Sequence, residues 1–200
     1  MNLTEVENSM RQLRKYLMTK YILHGGNTSD KSEDNKMFIH EMIKGLPANP
    51  KLLLVVFAEK DWDKTYEKDV KIISNYLGGT PVQILRAKPE TFEEQVKNVD
   101  IIYLRGGNTK KLQKYLEGKN LKELFKGKVV AGSSAGTYVL SKYYYGNDTK
   151  KLEEGLGILP MKTICHYDES LKNKLTTLKN FREKLDVYAL PNHKFVVINI

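Results

Sequence analysis

Apolar and polar positions follow two rhythms along the chain. Short, nearly continuous apolar runs occur at residues 20–24 (KYILH), 51–58 (KLLLVVFA), 81–86 (PVQILR), 99–104 (VDIIYL) and 127–132. Between them, segments 33–45, 62–77, 90–97 and 109–125 repeat apolar residues at helical spacing. Runs as uninterrupted as LLLVVFA and DIIYL fit strands covered on both faces. Strands alternating with helices predict a doubly wound α/β sheet, mostly parallel, with helices on both faces. The stretch MKTIC before His166 reads as a further strand. Residues 1–17 are polar and helix-prone, and Met18 opens the first strand. The chain is therefore expected to divide into an N-terminal helical extension, 1–17, and a single α/β domain, 18–200.

The last of the five runs leads into Gly132-Ser133-Ser134-Ala135-Gly136 and then a stretch able to wind into a helix. Read as G-x-S-x-G, this frames Ser134 as the exposed serine of a strained strand-to-helix elbow. Small neighbours, Ser133 and Ala135, let strand and helix approach, and the Ala135 N–H together with the helix start favours a developing negative charge. A bland alternative is a Gly/Ser turn that binds a phosphate or nothing.

A serine nucleophile needs a base that is itself oriented. Of four histidines, His40 lies inside a helical segment and is followed by Lys44 where a zinc motif would need histidine. His166 follows the MKTIC strand, His24 ends the first strand, and His193 sits in the turn LPNHK. Open parallel sheets bind ligands at the carboxyl ends of their strands, which singles out His24-Gly25-Gly26, Glu59, Arg105-Gly106-Gly107 and Ser134. The segments YILHGGNTSD and IYLRGGNTKK echo one another; their glycine pairs permit close backbone approach to a ligand, and Thr109 is placed to cap a helix. For the acid, Asp148 falls between Ser134 and His166, as do Glu153 and Glu154. Asp148 fits an ordinary Asn-Asp turn equally well.

Composition narrows the classes. Two hundred residues with 40% hydrophobic content can bury one full-sized core. The net charge of +9 comes mostly from lysines interspersed with acids, which describes a solvated surface better than a nucleic-acid track. No apolar run has the length of a membrane span, and the first residues lack a signal-peptide pattern. Cys165 is the sole cysteine, so no internal disulfide forms, which fits a reducing compartment. The expectation is a cytoplasmic protein with neither nucleic-acid nor membrane partners.

Gly106-Gly107-Asn108-Thr109 after an apolar strand, the elbow at 132–136, Asn147-Asp148, and LPMKTICHY ending at His166-Tyr167 occur together in this order. In order and approximate spacing, over residues 18–199, the chain resembles the aspartyl dipeptidase (peptidase E) and cyanophycinase family of serine peptidases. The fold implied is that of class I glutamine amidotransferases, related to flavodoxin-like sheets. The resemblance implies Ser134 as nucleophile, His166 as base and then acid, Asp148 as the residue orienting the imidazole, and oxyanion donors at Gly106, Gly107 and Ala135. With the strand-end positions it places Gly25, His24, Asn108, Thr109 and His193 about the substrate.

No metal or organic cofactor is implied. The substrate implied is a small peptide, with an acidic N-terminal residue as one option, and monomer and homodimer both remain open. The chain departs from the family in three places. Pro191-Asn192-His193 stands where family dipeptidases often carry Pro-Glu-Gly, Ser133 replaces a common bulky aromatic, and late strands of longer members do not follow KFVVINI. An esterase using the same elbow and a non-catalytic amidotransferase-like binding protein are the competing readings.

Overall fold

The computed structural model describes residues 18–200, so the helix expected at 1–17 lies outside the described residues. Strand β1 (Lys20–His24) leads to helix α1 (Glu33–Ile43), β2 (Lys51–Val55), α2 (Trp62–Leu77) and β3 (Gln83–Arg86). A 3₁₀ turn at Pro89–Thr91 opens α3 (Phe92–Lys97), which is followed by β4 (Ile101–Leu104), α4 (Thr109–Leu116) and α5 (Leu121–Leu124). Then come β5 (Val129–Ser133), α6 (Ala135–Leu140), β6 (Ser141–Gly146), β7 (Lys151–Glu154) and β8 (Leu159–Cys165). The chain closes with α7 (Lys172–Lys179), β9 (Asp186–Leu190) and β10 (Phe195–Asn199).

Two sheets form. The larger has the order β10-β1-β5-β4-β2-β3. Every pairing in it is parallel except β1 with β10. The expected α/β fold is present, and its strand faces follow the two-residue alternation of the sequence. Ile22, Leu52, Leu54 and Ile101 meet Phe38 and Met42 of α1 and Ile73 of α2 on one side. Leu23, Leu53, Val55 and Leu104 meet Phe92, Leu112 and Leu116 on the other.

The second sheet, ordered β7-β6-β8-β9, is not foreseen by the apolar runs apart from the MKTIC strand. Its inner side joins the larger core through Tyr144, Leu159, Met161 and Cys165, while Tyr143, Tyr145 and Ile164 face Leu178 of α7. The segment expected as one helix over 109–125 breaks after Leu116, where Gly118 takes a left-handed φ of 78°. The run 51–58 leaves the ladder after Val55, though Val56, Phe57 and Ala58 remain buried.

The elbow depends on its glycines for space. A Cβ on Gly136 would lie 2.0 Å from the Leu104 carbonyl oxygen, and one on Gly132 would lie 2.7 Å from the Gly136 carbonyl carbon. Strand β5, helix α6 and strand β4 thus touch backbone to backbone, which seats α6 over the sheet. Gly136→Ala should lower unfolding stability by about 1–3 kcal/mol, the cost of overpacking against backbone that cannot turn aside. A thermal melt matching wild type would contradict this contact.

Candidate active site

The site is built where β1, β4 and β5, three adjacent strands of the larger sheet, present their carboxyl ends. Ser134 follows β5 directly and has φ 49° and ψ −105°, a left-handed backbone that a residue with a side chain adopts only when its surroundings enforce it. The surroundings do so: the Ser134 N–H donates to the His24 carbonyl at 3.0 Å, and the Ser134 carbonyl accepts from Tyr138 N–H at 2.9 Å. The Ser134 side chain lines a cavity beside Ser133, which is itself only 2% exposed.

His166 arrives from the second sheet. It follows β8 with φ 52°, and its Nε2 lies 2.9 Å from Ser134 Oγ. The other ring nitrogen, Nδ1, lies 2.6 Å from Oδ1 of Asn192. With Nδ1–H donating to the Asn192 amide oxygen, Nε2 is left as an acceptor for the serine hydroxyl, the tautomer a general base requires.

Strand pairing explains why these two residues meet. Cys165 is opposite Leu190 in the β8–β9 ladder, so the chain leaves both strands at the same level. The turn Pro191–Lys194 then carries Asn192 past the imidazole on its way to β10.

The Gly25-Gly26 turn after β1 locks this junction. The Gly25 carbonyl accepts from His166 N–H at 2.9 Å, Gly25 N–H donates to the Lys194 carbonyl at 2.9 Å, and the Gly26 carbonyl accepts from His193 N–H at 3.1 Å. A Cβ on Gly26 would fall 2.1 Å from His166 Cε1, so only glycine leaves room for the ring.

A cavity of about 360 Å³ opens in front of Ser134 and His166, with Asn27, Thr28, Arg105 and Asp148 among its walls. Gly106 is close to the elbow, since a Cβ there would be 3.3 Å from Ser134 Cβ. Among the described residues, the N–H groups of Gly106, Gly107 and Ala135 have no backbone acceptor. Ala135 begins α6, where a helix leaves its first amides unpaired.

Arg105, at the cavity wall, is bound by two carboxylates: Nε donates to Asp69 at 2.5 Å, and a terminal nitrogen donates to Glu59. Burial alone would lower the guanidinium's pKa, but Asp69 and Glu59 more than offset it and hold the charge in place. Among the described residues, no group of three His, Cys, Asp or Glu side chains is arranged to hold a metal.

Several residues expected around the substrate have other positions. Asp148 lies in the loop between β6 and β7 and lines the cavity, but Asn192, not Asp148, bonds the far nitrogen of His166. Glu153 bonds Thr149 and Lys110, and Glu154 bonds Arg182, so neither reaches the imidazole.

His24 is fully buried and does not line this cavity. Its Nδ1 accepts from Gly26 N–H at 3.0 Å and its Nε2 lies 3.0 Å from Asn35 Oδ1, so it props the glycine turn. Gly25 likewise supports His166 through its carbonyl rather than lining the cavity. Asn108, not Thr109, caps α4, its Oδ1 accepting from Lys111 N–H at 2.8 Å, and neither lines the cavity. His193 does not line the cavity itself but pairs at 3.0 Å with Asp30, which does. The first glycine pair's own Asn27 and Thr28 line it instead. Asn192 carried one signal in the sequence, its place where Pro-Glu-Gly is common in the family resembled.

The fold is shared with solved peptidases. A peptidase from an acI-B1 Actinobacterium superposes with a TM-score of 0.67 at 19% identity, covering 94% of this chain and 86% of that one. A putative peptidase E protein from Listeria monocytogenes EGD-e gives 0.64 at 18% identity, with 91% and 95% covered. No curated protein matches the sequence. The model of peptidase family S51 matches residues 21–199, and the chain belongs to that family. It is a serine peptidase, and among the described residues no helix is long and apolar enough to cross a membrane.

Two expectations follow from this geometry. Burial pushes the His24 pKa from 6.5 down to about 4, so the unfolded chain binds a proton that the folded chain refuses. Its contribution to stability is intact above the unfolded value and is lost as pH falls from 6.5 toward 4, on the order of 2 kcal/mol by about pH 5. Unfolding midpoints across that range should fall steeply in wild type and less steeply in His24→Asn; parallel curves would exclude His24 as the cause. A fluorophosphonate should label wild type and Ser133→Ala but not Ser134→Ala, read by intact mass, and the reverse pattern would move the nucleophile to Ser133.

Proposed function

We propose that the protein cleaves small peptides in the manner of a dipeptidase, with Ser134 as nucleophile, His166 as base and then acid, and Asn192 orienting the imidazole. The observation that carries this reading is the 2.9 Å approach of Ser134 Oγ to His166 Nε2 on a strained strand-to-helix turn. In this mechanism His166 takes the hydroxyl proton as Ser134 Oγ attacks the peptide carbonyl. The carbonyl oxygen becomes an oxyanion that the unpaired amides of Ala135 and the Gly106-Gly107 turn are placed to receive. The imidazolium then gives its proton to the leaving amine, and water releases the acyl group by the same steps in reverse.

Asn192 fills the part assigned from the sequence to Asp148. An amide oxygen holds the Nδ1–H tautomer as a carboxylate does, but it is neutral and stabilises the imidazolium less. The pair is thus correctly aimed and weakly charged. Hydrolysis of a dipeptide panel, scored by free amino acid released, tests the function directly: turnover by wild type and none by Ser134→Ala is the expected result. Absence of turnover together with absence of fluorophosphonate labelling would favour a binding protein that keeps the fold.

For the third residue, Asn192→Ala should lower kcat/KM by roughly 10- to 100-fold, and Asn192→Asp should retain or exceed wild-type kcat. A rate for Asn192→Ala within threefold of wild type, about the resolution of such assays, would remove Asn192 from the machinery.

A further inference from the structure

We propose that the cavity selects peptides carrying a positive charge on the residue whose carbonyl Ser134 attacks, and that Asp148 is the group that holds this charge. The proposal rests on the serine-peptidase reading of the same site. It follows from a count of the charges that face the reacting atoms.

The cation on the wall is Arg105, and it is not free. Its side chain is 16% exposed, and Glu59 and Asp69 both bind it, with the Gly106 carbonyl accepting a further bond at 3.0 Å. One positive charge held by two negative ones leaves that corner with a deficit. Recruiting Arg105 to a substrate carboxylate would require breaking part-buried ion pairs, which is expensive when the freed partners stay in place.

The nearest lysines on α4 are also committed. Lys111 Nζ donates to the Glu59 backbone carbonyl and lies over the Trp62 ring, and Lys110 pairs with Glu153 at 3.2 Å. Nothing among these is placed to receive an acidic side chain.

The carboxylates on the wall are in the opposite condition. Asp30 is 55% exposed at its side chain and has His193, which counts as a cation only when protonated. Asp148 lines the same cavity as Ser134 and His166, and among the described residues it has no ion-pair partner and accepts no hydrogen bond. Its loop is anchored beneath, where Asn147 Nδ2 donates to the Cys165 carbonyl at 2.7 Å, one residue before His166. A carboxylate tied to the level of the base and left unpaired faces whatever occupies the cavity. The charges lining the cavity favour an ammonium or guanidinium and disfavour an acidic side chain.

The positive charge has two possible sources in a peptide, the free α-ammonium and a basic side chain. Leucine release from Ala-Leu, Lys-Leu and Asp-Leu, and from the N-acetyl forms of the first two, separates them. Lys-Leu should exceed Asp-Leu by about tenfold in kcat/KM, attraction in one case and repulsion in the other. Loss of rate on acetylating Ala-Leu identifies the α-ammonium; N-acetyl-Lys-Leu outrunning N-acetyl-Ala-Leu identifies the side chain.

Asp148→Asn should collapse these ratios to within about threefold, chiefly through KM, while Asp148→Glu should keep them. Asp-Leu cleaved as fast as Lys-Leu, or ratios unmoved by Asp148→Asn, would overturn the proposal. Fluorophosphonate labelling of Ser134 separates the two levels of inference: labelling with no dipeptide cleaved overturns the substrate class alone. Absence of both labelling and cleavage would overturn the catalytic reading of the site and this proposal together.

Discussion

The hydrogen bond from His166 N–H to the Gly25 carbonyl is the contact on which the site depends, because it joins the end of β8 in one sheet to the end of β1 in the other. Without it, the serine and the histidine belong to separate layers with no reason to align. The bond is possible because Gly25 and Gly26 carry no side chains: a Cβ on Gly25 would lie 2.0 Å from the Pro191 carbonyl oxygen. His24 secures the same turn from below by accepting the Gly26 N–H on its buried ring. A small set of backbone contacts thus brings two strand ends, and with them Ser134 and His166, into one arrangement, with left-handed backbone at both residues as its local cost.

Charge is handled differently in the two halves of the site. Behind the histidine stands a neutral amide, Asn192, which fixes the ring without placing a permanent negative charge at its back. Beside the glycine turn of β4, Arg105 is surrounded by carboxylates and acts as a strut: it ties the loop after β2, through Glu59, to α2, through Asp69. Its chain neighbour Gly106 is thereby fixed against the elbow.

The central strands of the larger sheet, β1, β2, β4 and β5, were legible because they are buried and therefore written as continuous apolar runs, whereas the partly exposed edge strand β10 was not among the expected runs. Ser134 and His166 were legible because a strand end, an elbow pattern and a base form a chemical unit. The second sheet was not, because SKYYYG, KLEE and DVYAL mix aromatic and charged residues, and β6 begins directly after α6 with no intervening turn to announce it. Asp148 and Asn192 show the same limit at one position. Chain order favoured an acid between serine and histidine, but the residue that meets the imidazole is delivered by the β8–β9 ladder, a pairing no local pattern encodes. Asn108 and Thr109 were read from a repeated motif: in the second copy the glycines line the cavity and Asn108 caps the helix, while in the first copy Asn27 and Thr28 line the cavity.

The order in which the site's parts lie along the chain has a consequence for synthesis. Ser134 and its elbow are complete once β5 and α6 have emerged, whereas the histidine comes a sheet later and Asn192 within the final turn before β10. The contacts that bring them together span most of the chain, the kind of long-range closure that forms late in folding. A chain synthesised only as far as α6 therefore has Ser134 without the histidine that lies beside it in the fold. The serine and the histidine come together only once segments far apart in the chain have closed on one another.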